Sequence, residues 1–386
     1  MNPASPLSNI TVVELGTSVA APFGALILAE LGATVVKVEN PDGGDDARRW
    51  GPPFVDGVAP LFNSINRNKR SAAVDLKNET QRALLRTFVL DRADVVLQNL
   101  RPGLVETYGL DAASLRAERP SLIYCTLGAF GPVGPLKSQP GYDPLMQACA
   151  GIMSITGHEG DEPVRVGPSI VDQGAGMWAA IGILAALLRR TLTGEGCDVS
   201  TSLYETAVGW VPMQIANLLA TGSAPRPMGS ENSGIAPYKA FKAADGFLVI
   251  AAGNDNLFRR LAGALGHPEL ADDGRFASNP DRVRHRDELN AIIGDIVRAR
   301  ALKEWQGRLN EAGVPCAPVL SLDQVVADPQ FAAVGMLQPA CGGGMSLIGI
   351  PLQFDGVRPP LRSLPPALGE ATSLVFGQVH EEETPR

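Results

Sequence analysis

Short β-rich runs alternate with helix-patterned segments through the N-terminal part of the chain, and this alternation limits the possible folds more than any other feature. Ile10 to Glu14 (ITVVE) predicts a strand, Ala21 to Leu31 a helix, and Thr34 to Glu39 (TVVKVE) the next strand. Ser71 to Leu76, Asp94 to Leu97 and Leu122 to Leu127 predict further strands, with an amphipathic helix over Glu79 to Leu90. Strands separated by helices cannot pair as hairpins; they form a parallel sheet with helices on both faces, a Rossmann-like α/β fold. After Arg190, TGEGCDVSTS predicts a turn and a strand, and Leu203 to Leu219 a helix.

Composition changes at Gly222 to Pro237 (GSAPRPMGSENSGIAP), which is rich in Gly, Pro and Ser. Beyond it lie two short strands around Asp245-Gly246 and three charged amphipathic helices, enough for a small α+β domain. The tail, with GIPLQF and RPPLRSLPPALGE, is too Pro-rich to form a third core and is expected to return to the first domain. The expected division is a large domain over 1–200 plus 330–386, a linker over 201–237 and a small domain over 238–329. No internal repeat stands out.

At 386 residues the chain is long enough to bury a substantial core without metal or disulfide staples. Its 33 Lys plus Arg against 41 Asp plus Glu, a net charge of -8, argue against nucleic acid as a partner. The longest apolar stretch, Gly174 to Leu188, has 15 residues, short of the roughly 20 a bilayer span requires. It reads as a buried helix, so no membrane partner is expected. MNPASPLSN carries neither a cationic segment nor an apolar signal core, which predicts a cytoplasmic protein. Cys125, Cys149, Cys197, Cys316 and Cys341 form no CxxC pair, and the four histidines have no zinc spacing. Reduced, packed thiols are expected.

Four segments are candidates for chemistry. Leu15 to Gly24 is a Gly-bearing strand-to-helix turn without GxGxxG spacing, and Pro22 suits a plain helix start as well as a ligand loop. Asn66 to Lys77 (NRNKRSAAVDLK) clusters Arg67, Lys69, Arg70 and Lys77, either around phosphates or as a solvated basic turn. Gln98 to Gly109 sets Asn99 and Arg101 just after a strand, at the sheet edge where open α/β folds bind ligands. Asp172 stands just before the apolar helix, where it either caps the free N–H groups or acts as a carboxylate nucleophile.

These segments, together with KVENPDGGD (37–45), GYDPLMQACAG (141–151), SIVDQGAGMWAAIGILAAL, IAPYKAF (235–241), GVPCAPVLSLDQV (313–325) and ALGEATSLV, resemble the class III CoA-transferases. That CaiB/BaiF family includes formyl-CoA and carnitine CoA-transferases and α-methylacyl-CoA racemases. The likeness covers nearly the whole chain. It implies an interlocked homodimer, coenzyme A or acyl-CoA as substrate with no permanently bound cofactor, and Asp172 as the catalytic aspartate. It also implies Val19, Asn40, Val74, Lys77, Asn99, Arg101 and Tyr108 as neighbours of the CoA nucleotide, although relatives often carry Arg where Asn40 and Tyr108 stand. Tyr142, Gly229 and Gly234 fall to the substrate pocket. Oxyanion donors are expected from Gly174 to Gly176 or from Gly229 to Gly234.

In the resemblance, Asp172 attacks a short acyl-CoA such as succinyl-CoA to give a mixed anhydride and then an aspartyl-CoA thioester, from which an acceptor acid takes the CoA. The run AAGNDNLFRR resembles members that act on dicarboxylates. Racemases of the family have a His base where Tyr142 stands, and a phenol titrating near about 10 is a poor base at neutral pH, so transfer is favoured over 2-methylacyl-CoA epimerisation. Val19 occupies the place of a catalytic glutamine in formyl-CoA transferases, which argues against formyl or oxalyl chemistry. A noncatalytic CoA-binding protein is the third reading.

Overall fold

A computed structural model describes residues 5–339 and 345–377. Cys341 lies outside the described residues. The chain forms two compact units, one of residues 1–152, 165–221 and 332–386, the other of residues 153–164 and 222–331.

The first unit is built on six parallel strands, β1 (Thr11–Leu15), β2 (Thr34–Glu39), β3 (Lys69–Ala73), β4 (Val95–Gln98), β5 (Ile123–Gly128) and β6 (Asp198–Ser202). They lie in the order β3-β2-β1-β4-β5-β6, all neighbours parallel. Its helices are α1 (Ala20–Glu30), α2 (Pro60–Asn66), α3 (Glu79–Arg92), α4 (Leu104–Thr107), α5 (Ala112–Glu118), α6 (Asp143–Cys149), α8 (Ile170–Thr193), α9 (Leu203–Gly209) and α10 (Pro212–Thr221); the short α7 (Ile152–Ile155) follows α6 in the chain. Val12, Val13, Val35, Val36, Val95 and Val96 are each 1% exposed or less, because a parallel sheet covered on both faces buries its strand residues on either side. This is the doubly wound order, with β1 and β4 flanking the point where the winding reverses.

The second unit pairs β7 (Tyr238–Lys242), β8 (Phe247–Ala251) and β9 (Cys316–Pro318) antiparallel. Its helices are α11 (Asp255–Leu265), α12 (Asn279–Arg284), α13 (Arg286–Arg298), α14 (Leu302–Glu311) and α15 (Leu322–Ala327). Phe241, Phe258, Phe276 and Trp305 anchor its core. The chain then continues through α16 (Pro329–Ala333), β10 (Leu337–Gln338), β11 (Leu347–Ile348) and α17 (Thr372–Phe376). The tail returns to the first sheet: Arg362 N–H donates to Asn68 Oδ1 (2.7 Å) and Ala73 N–H to Thr372 Oγ1 (3.0 Å).

Several expectations change. Residues 203–221, expected partly as linker, are helices α9 and α10 of the first unit, and 153–164 belongs with the second. The helix expected over Leu203 to Leu219 breaks at Trp210 and Val211, because Pro212 lacks an N–H and fits only at the start of α10. The apolar helix runs 24 residues, long and apolar enough to cross a bilayer, and about half of its most apolar window is buried. It packs on α1, β5, β6 and α9 as a core helix does, but Met177, Trp178, Ile181, Leu188 and Leu192 remain exposed.

Candidate active site

The carboxyl ends of β1, β2 and β4 open on a cavity of about 270 Å³. Its lining comes from the turns after these strands and after β3, at the reversal point where doubly wound folds bind ligands. Leu15 to Thr17 form one wall, Glu39, Asn40 and Asp45 a second, Val74 to Lys77 a third, and Leu100, Leu104 and Tyr108 the fourth.

A buried charge network holds the floor. Lys37 Nζ meets Glu14 Oε1 (2.9 Å), Asp45 Oδ2 (2.8 Å) and the Gly16 carbonyl (2.7 Å), while Lys69 Nζ meets Glu14 Oε2 (2.9 Å) and the Pro22 carbonyl (2.8 Å). Asp45 Oδ1 accepts from Ser18 N–H (3.0 Å), and Ser18 sits in the left-handed region at φ 68°. The network fixes the first turn into α1, whose conformation a serine does not adopt for free. Burial works against charge on Lys37, but Glu14, Asp45 and Glu39 outweigh it and hold the ammonium above its ordinary value. Lys69 falls to about 8 through burial and repulsion from Lys37.

Glu39 closes β2, where a dinucleotide fold keeps a carboxylate free for a ribose. Here it is occupied: Arg48 Nε donates at 2.8 Å, Arg48 Nη2 at 2.7 Å and Ser71 Oγ at 2.6 Å. Burial pushes Glu39 up, yet Arg48, Lys37 and Ser71 together hold it below the usual carboxylate range. With no GxGxxG turn and this acid already bonded, the cavity does not have the features of a dinucleotide site.

Asn40, Val74, Lys77 and Tyr108 all line the cavity. Asn99 sits at its edge, its side chain accepting from Thr17 N–H and donating to the Thr17 carbonyl, both at 3.0 Å. Arg101 is exposed between the lining residues Leu100 and Leu104. Val19 is different: it is 5% exposed and packs with Leu26 and Ile65, away from the lining. The basic run divides: Arg67 pairs with Glu30 and Lys69 with Glu14, all four buried, whereas Arg70 is exposed and Lys77 lines the cavity. Arg82, not singled out from sequence, lies 5.5 Å over the Tyr108 ring and donates to the Leu76 carbonyl (2.9 Å), so a third cation joins Lys77 and Arg101 near the mouth.

Asp172 is the third residue of α8, inside its first turn and not before it. Helix α8 leads into β6, which is parallel to β5, so its N-terminus lies at the same sheet edge as the cavity. Gly176, one turn on, meets α1 so closely that a Cβ there would stand 2.6 Å from the Ala20 carbonyl oxygen and 2.8 Å from Gly24 N. Asp172 makes no side-chain cap, and its carboxyl is raised to about 7 by burial and by the nearby Asp143.

Gly174 to Gly176 cannot supply oxyanion donors. They lie within α8, where each N–H bonds four residues back, and the missing side chains admit Trp210 and Thr206 on one side and α1 on the other. Tyr142 precedes α6 and is 59% exposed. Gly229 and Gly234 belong to the second unit, Gly229 in the left-handed region at φ 59°.

This arrangement is a cavity and a half-buried carboxylate at one edge of a doubly wound sheet. The chain matches the CoA-transferase family III model over residues 7–372 and belongs to that family. It is 37% identical to a succinate–glutarate CoA-transferase of Agrobacterium fabrum, over 99% of this chain and 98% of the relative. It is 36% identical to an acetyl-CoA:oxalate CoA-transferase of Acetobacter aceti, over 93% and 91%. A CaiB/BaiF family protein from Brucella suis superposes with a TM-score of 0.86 at 38% identity, covering 96% and 98%.

Proposed function

We propose that this CoA-transferase moves CoA from succinyl-CoA to a dicarboxylic acid through covalent bonds to Asp172. The observation that carries this reading is the Asp172 carboxylate, half-buried in the first turn of α8 at the sheet edge that also holds the cavity. The name of the first relative carries succinate and glutarate, the donor and acceptor acids of this reading.

The chemistry follows from the carboxylate. Asp172 attacks the acyl carbon of succinyl-CoA, forming a mixed anhydride and releasing CoA thiolate, a competent leaving group because thiols titrate near about 8.5. The thiolate attacks the aspartyl carbonyl and releases succinate, leaving an aspartyl-CoA thioester. The acceptor carboxylate attacks that thioester, forming a second anhydride and freeing the thiolate. The thiolate then attacks the acceptor acyl carbon, which gives the new acyl-CoA and restores Asp172. Lys77, Arg82 and Arg101 supply positive charge near the cavity mouth for CoA phosphates, and Asn40, Val74 and Tyr108 are its further neighbours there. Val19 would act by packing behind the first turn.

A homodimer belongs to the same reading. Helix α10 has no buried residue in the single chain, although its sequence PMQIANLLAT is largely apolar, and α8 keeps Trp178, Leu188 and Leu192 exposed. A second copy is the cover proposed for them.

The test is a panel of acids including glutarate, oxalate and simple monocarboxylates, offered with succinyl-CoA and acetyl-CoA and read by mass spectrometry. Transfer from succinyl-CoA to a dicarboxylate, with hydroxylamine trapping an adduct on Asp172, is expected. Deuterium entering the α carbon of a 2-methylacyl-CoA without an acceptor would show an epimerase instead.

A further inference from the structure

Helix α8 begins without a cap of its own, since the Ser169 side chain makes no capping bond. Its first N–H groups are satisfied from elsewhere. Ile170 donates to the Pro168 carbonyl (2.8 Å), while Gln173 N–H makes the helix's own first bond, to the Ser169 carbonyl (3.0 Å). Val171 and Asp172 both donate to one oxygen of Asp143, Oδ2, at 2.8 and 3.2 Å. The other oxygen accepts from Gln147 Nε2 at 2.5 Å, and Gln147 Oε1 accepts from Val166 N–H at 2.8 Å in the loop that leads into α8. Asp143 is 2% exposed and Gln147 0%. Among the described residues Asp143 takes part in no ion pair.

A buried carboxylate without a cation is costly unless hydrogen bonds and local dipoles offset it. Asp143 is offset by three N–H donors and by the positive end of a 24-residue helix. That helix end would otherwise favour ionised Asp172. We infer that Asp143, braced by Gln147, is a positioning residue for the transfer: it occupies the helix end so that Asp172 is held in the first turn without the stabilisation that would weaken it as a nucleophile. The inference rests on the covalent role proposed for Asp172.

Other charged groups around α8 are committed elsewhere. Glu30 on α1 pairs with Arg67, Glu205 on α9 accepts from Ser202, and Asp198 on β6 pairs with Arg116. In the approach loop, Arg165 donates to the Val166 and Gly167 carbonyls. Arg189 and Arg190 lie at the far end of α8, while Tyr142 and Cys149 are exposed titratable groups on or beside α6. β5 contributes Tyr124 and Cys125, both buried and pushed up by burial. Among these groups, Asp143 is the one whose hydrogen bonds reach the turn carrying Asp172, and Asp172 correspondingly sits near about 7, mainly through burial and then through Asp143.

The experiment compares the pH dependence of kcat/KM for succinyl-CoA to glutarate transfer in the parent, Asp143→Asn and Asp143→Ala. Asp143→Asn keeps the shape and removes the charge, so its acid limb is expected about one pH unit or more lower. Asp143→Ala frees the turn, and kcat is expected to fall about 10- to 100-fold with KM for succinyl-CoA within about twofold. Should Asp143→Ala fail to fold, the Asp143→Asn profile decides alone. An acid limb that does not move in Asp143→Asn, with hydroxylamine still trapping Asp172, overturns this inference and leaves the covalent reading standing. No trapped adduct on the turning-over parent enzyme overturns both.

Discussion

A carboxylate that must attack a thioester at neutral pH has to be ionised yet still basic, and the surroundings of Asp172 meet both needs. With its carboxyl raised to about 7 by burial and Asp143, kcat/KM for transfer is expected to rise with pH through about 7 and then level off. The same shift has a consequence for stability. A raised folded-state value means that the folded chain binds more protons than the unfolded chain between about pH 4 and 7, so this group's contribution falls as pH rises through that window. Asp172→Asn is therefore expected to be as stable as the parent near pH 4 and more stable by on the order of 1–3 kcal/mol at pH 8, read by urea denaturation at both. Asp172→Ala is expected to bind CoA within a fewfold of the parent by calorimetry and to lose transfer by about three orders of magnitude. Near-parental turnover by either variant would exclude the covalent route. Position after a strand or at a helix start marks Asp172, Lys77 and Arg101 as candidates, and the family resemblance supplies the roles read for them. Asp143 and Arg67 were misjudged or passed over because their partners lie 28 and 37 residues away, and a motif shows an acid or a base without showing what it touches.

The contact between α1 and α8 depends on two residues without side chains. A Cβ on Gly24 would stand 2.9 Å from the Gly176 carbonyl oxygen, and one on Gly176 would stand 2.6 Å from that of Ala20. Both obstacles are backbone, so the helices would have to separate. Gly176→Ala is expected to destabilise by about 1–3 kcal/mol and, by moving the turn that carries Asp172, to lower kcat. Gly307→Ala in α14 is the control: nothing lies within 4 Å of its Cβ, and Ala is expected to add about 0.5–1 kcal/mol with activity unchanged. Helix and strand positions in the first unit were largely legible, since hydrophobic period and β-branched runs are local signals. The true start of α8 was not, because Ile170 and Val171 join the helix through a cap supplied by α6, and no local residue advertises it.

At the scale of the molecule, the strand order β3-β2-β1-β4-β5-β6 was not readable from the chain, since alternation of elements says that a sheet is parallel but not which strands are neighbours. Not accounted for by a single chain is the surplus of apolar surface, which the reading of the apolar stretch as a buried helix does not anticipate. Helix α10 exposes Met213 (71%) and Leu219 (81%), and α8 exposes Leu192 (82%), whereas exposed polar helices usually carry charge at such positions. The chain is therefore expected to sediment at twice its 40.6 kDa mass. Met213→Asp with Leu219→Asp tests the surface directly. Because α10 buries nothing in the monomer, the double substitution is expected to leave the circular dichroism of the fold intact while shifting the sedimentation profile toward the single chain by at least tenfold in Kd. A parent that sediments as a monomer would remove the dimer from the proposal, and a double variant that stays as dimeric as the parent would move the interface off α10.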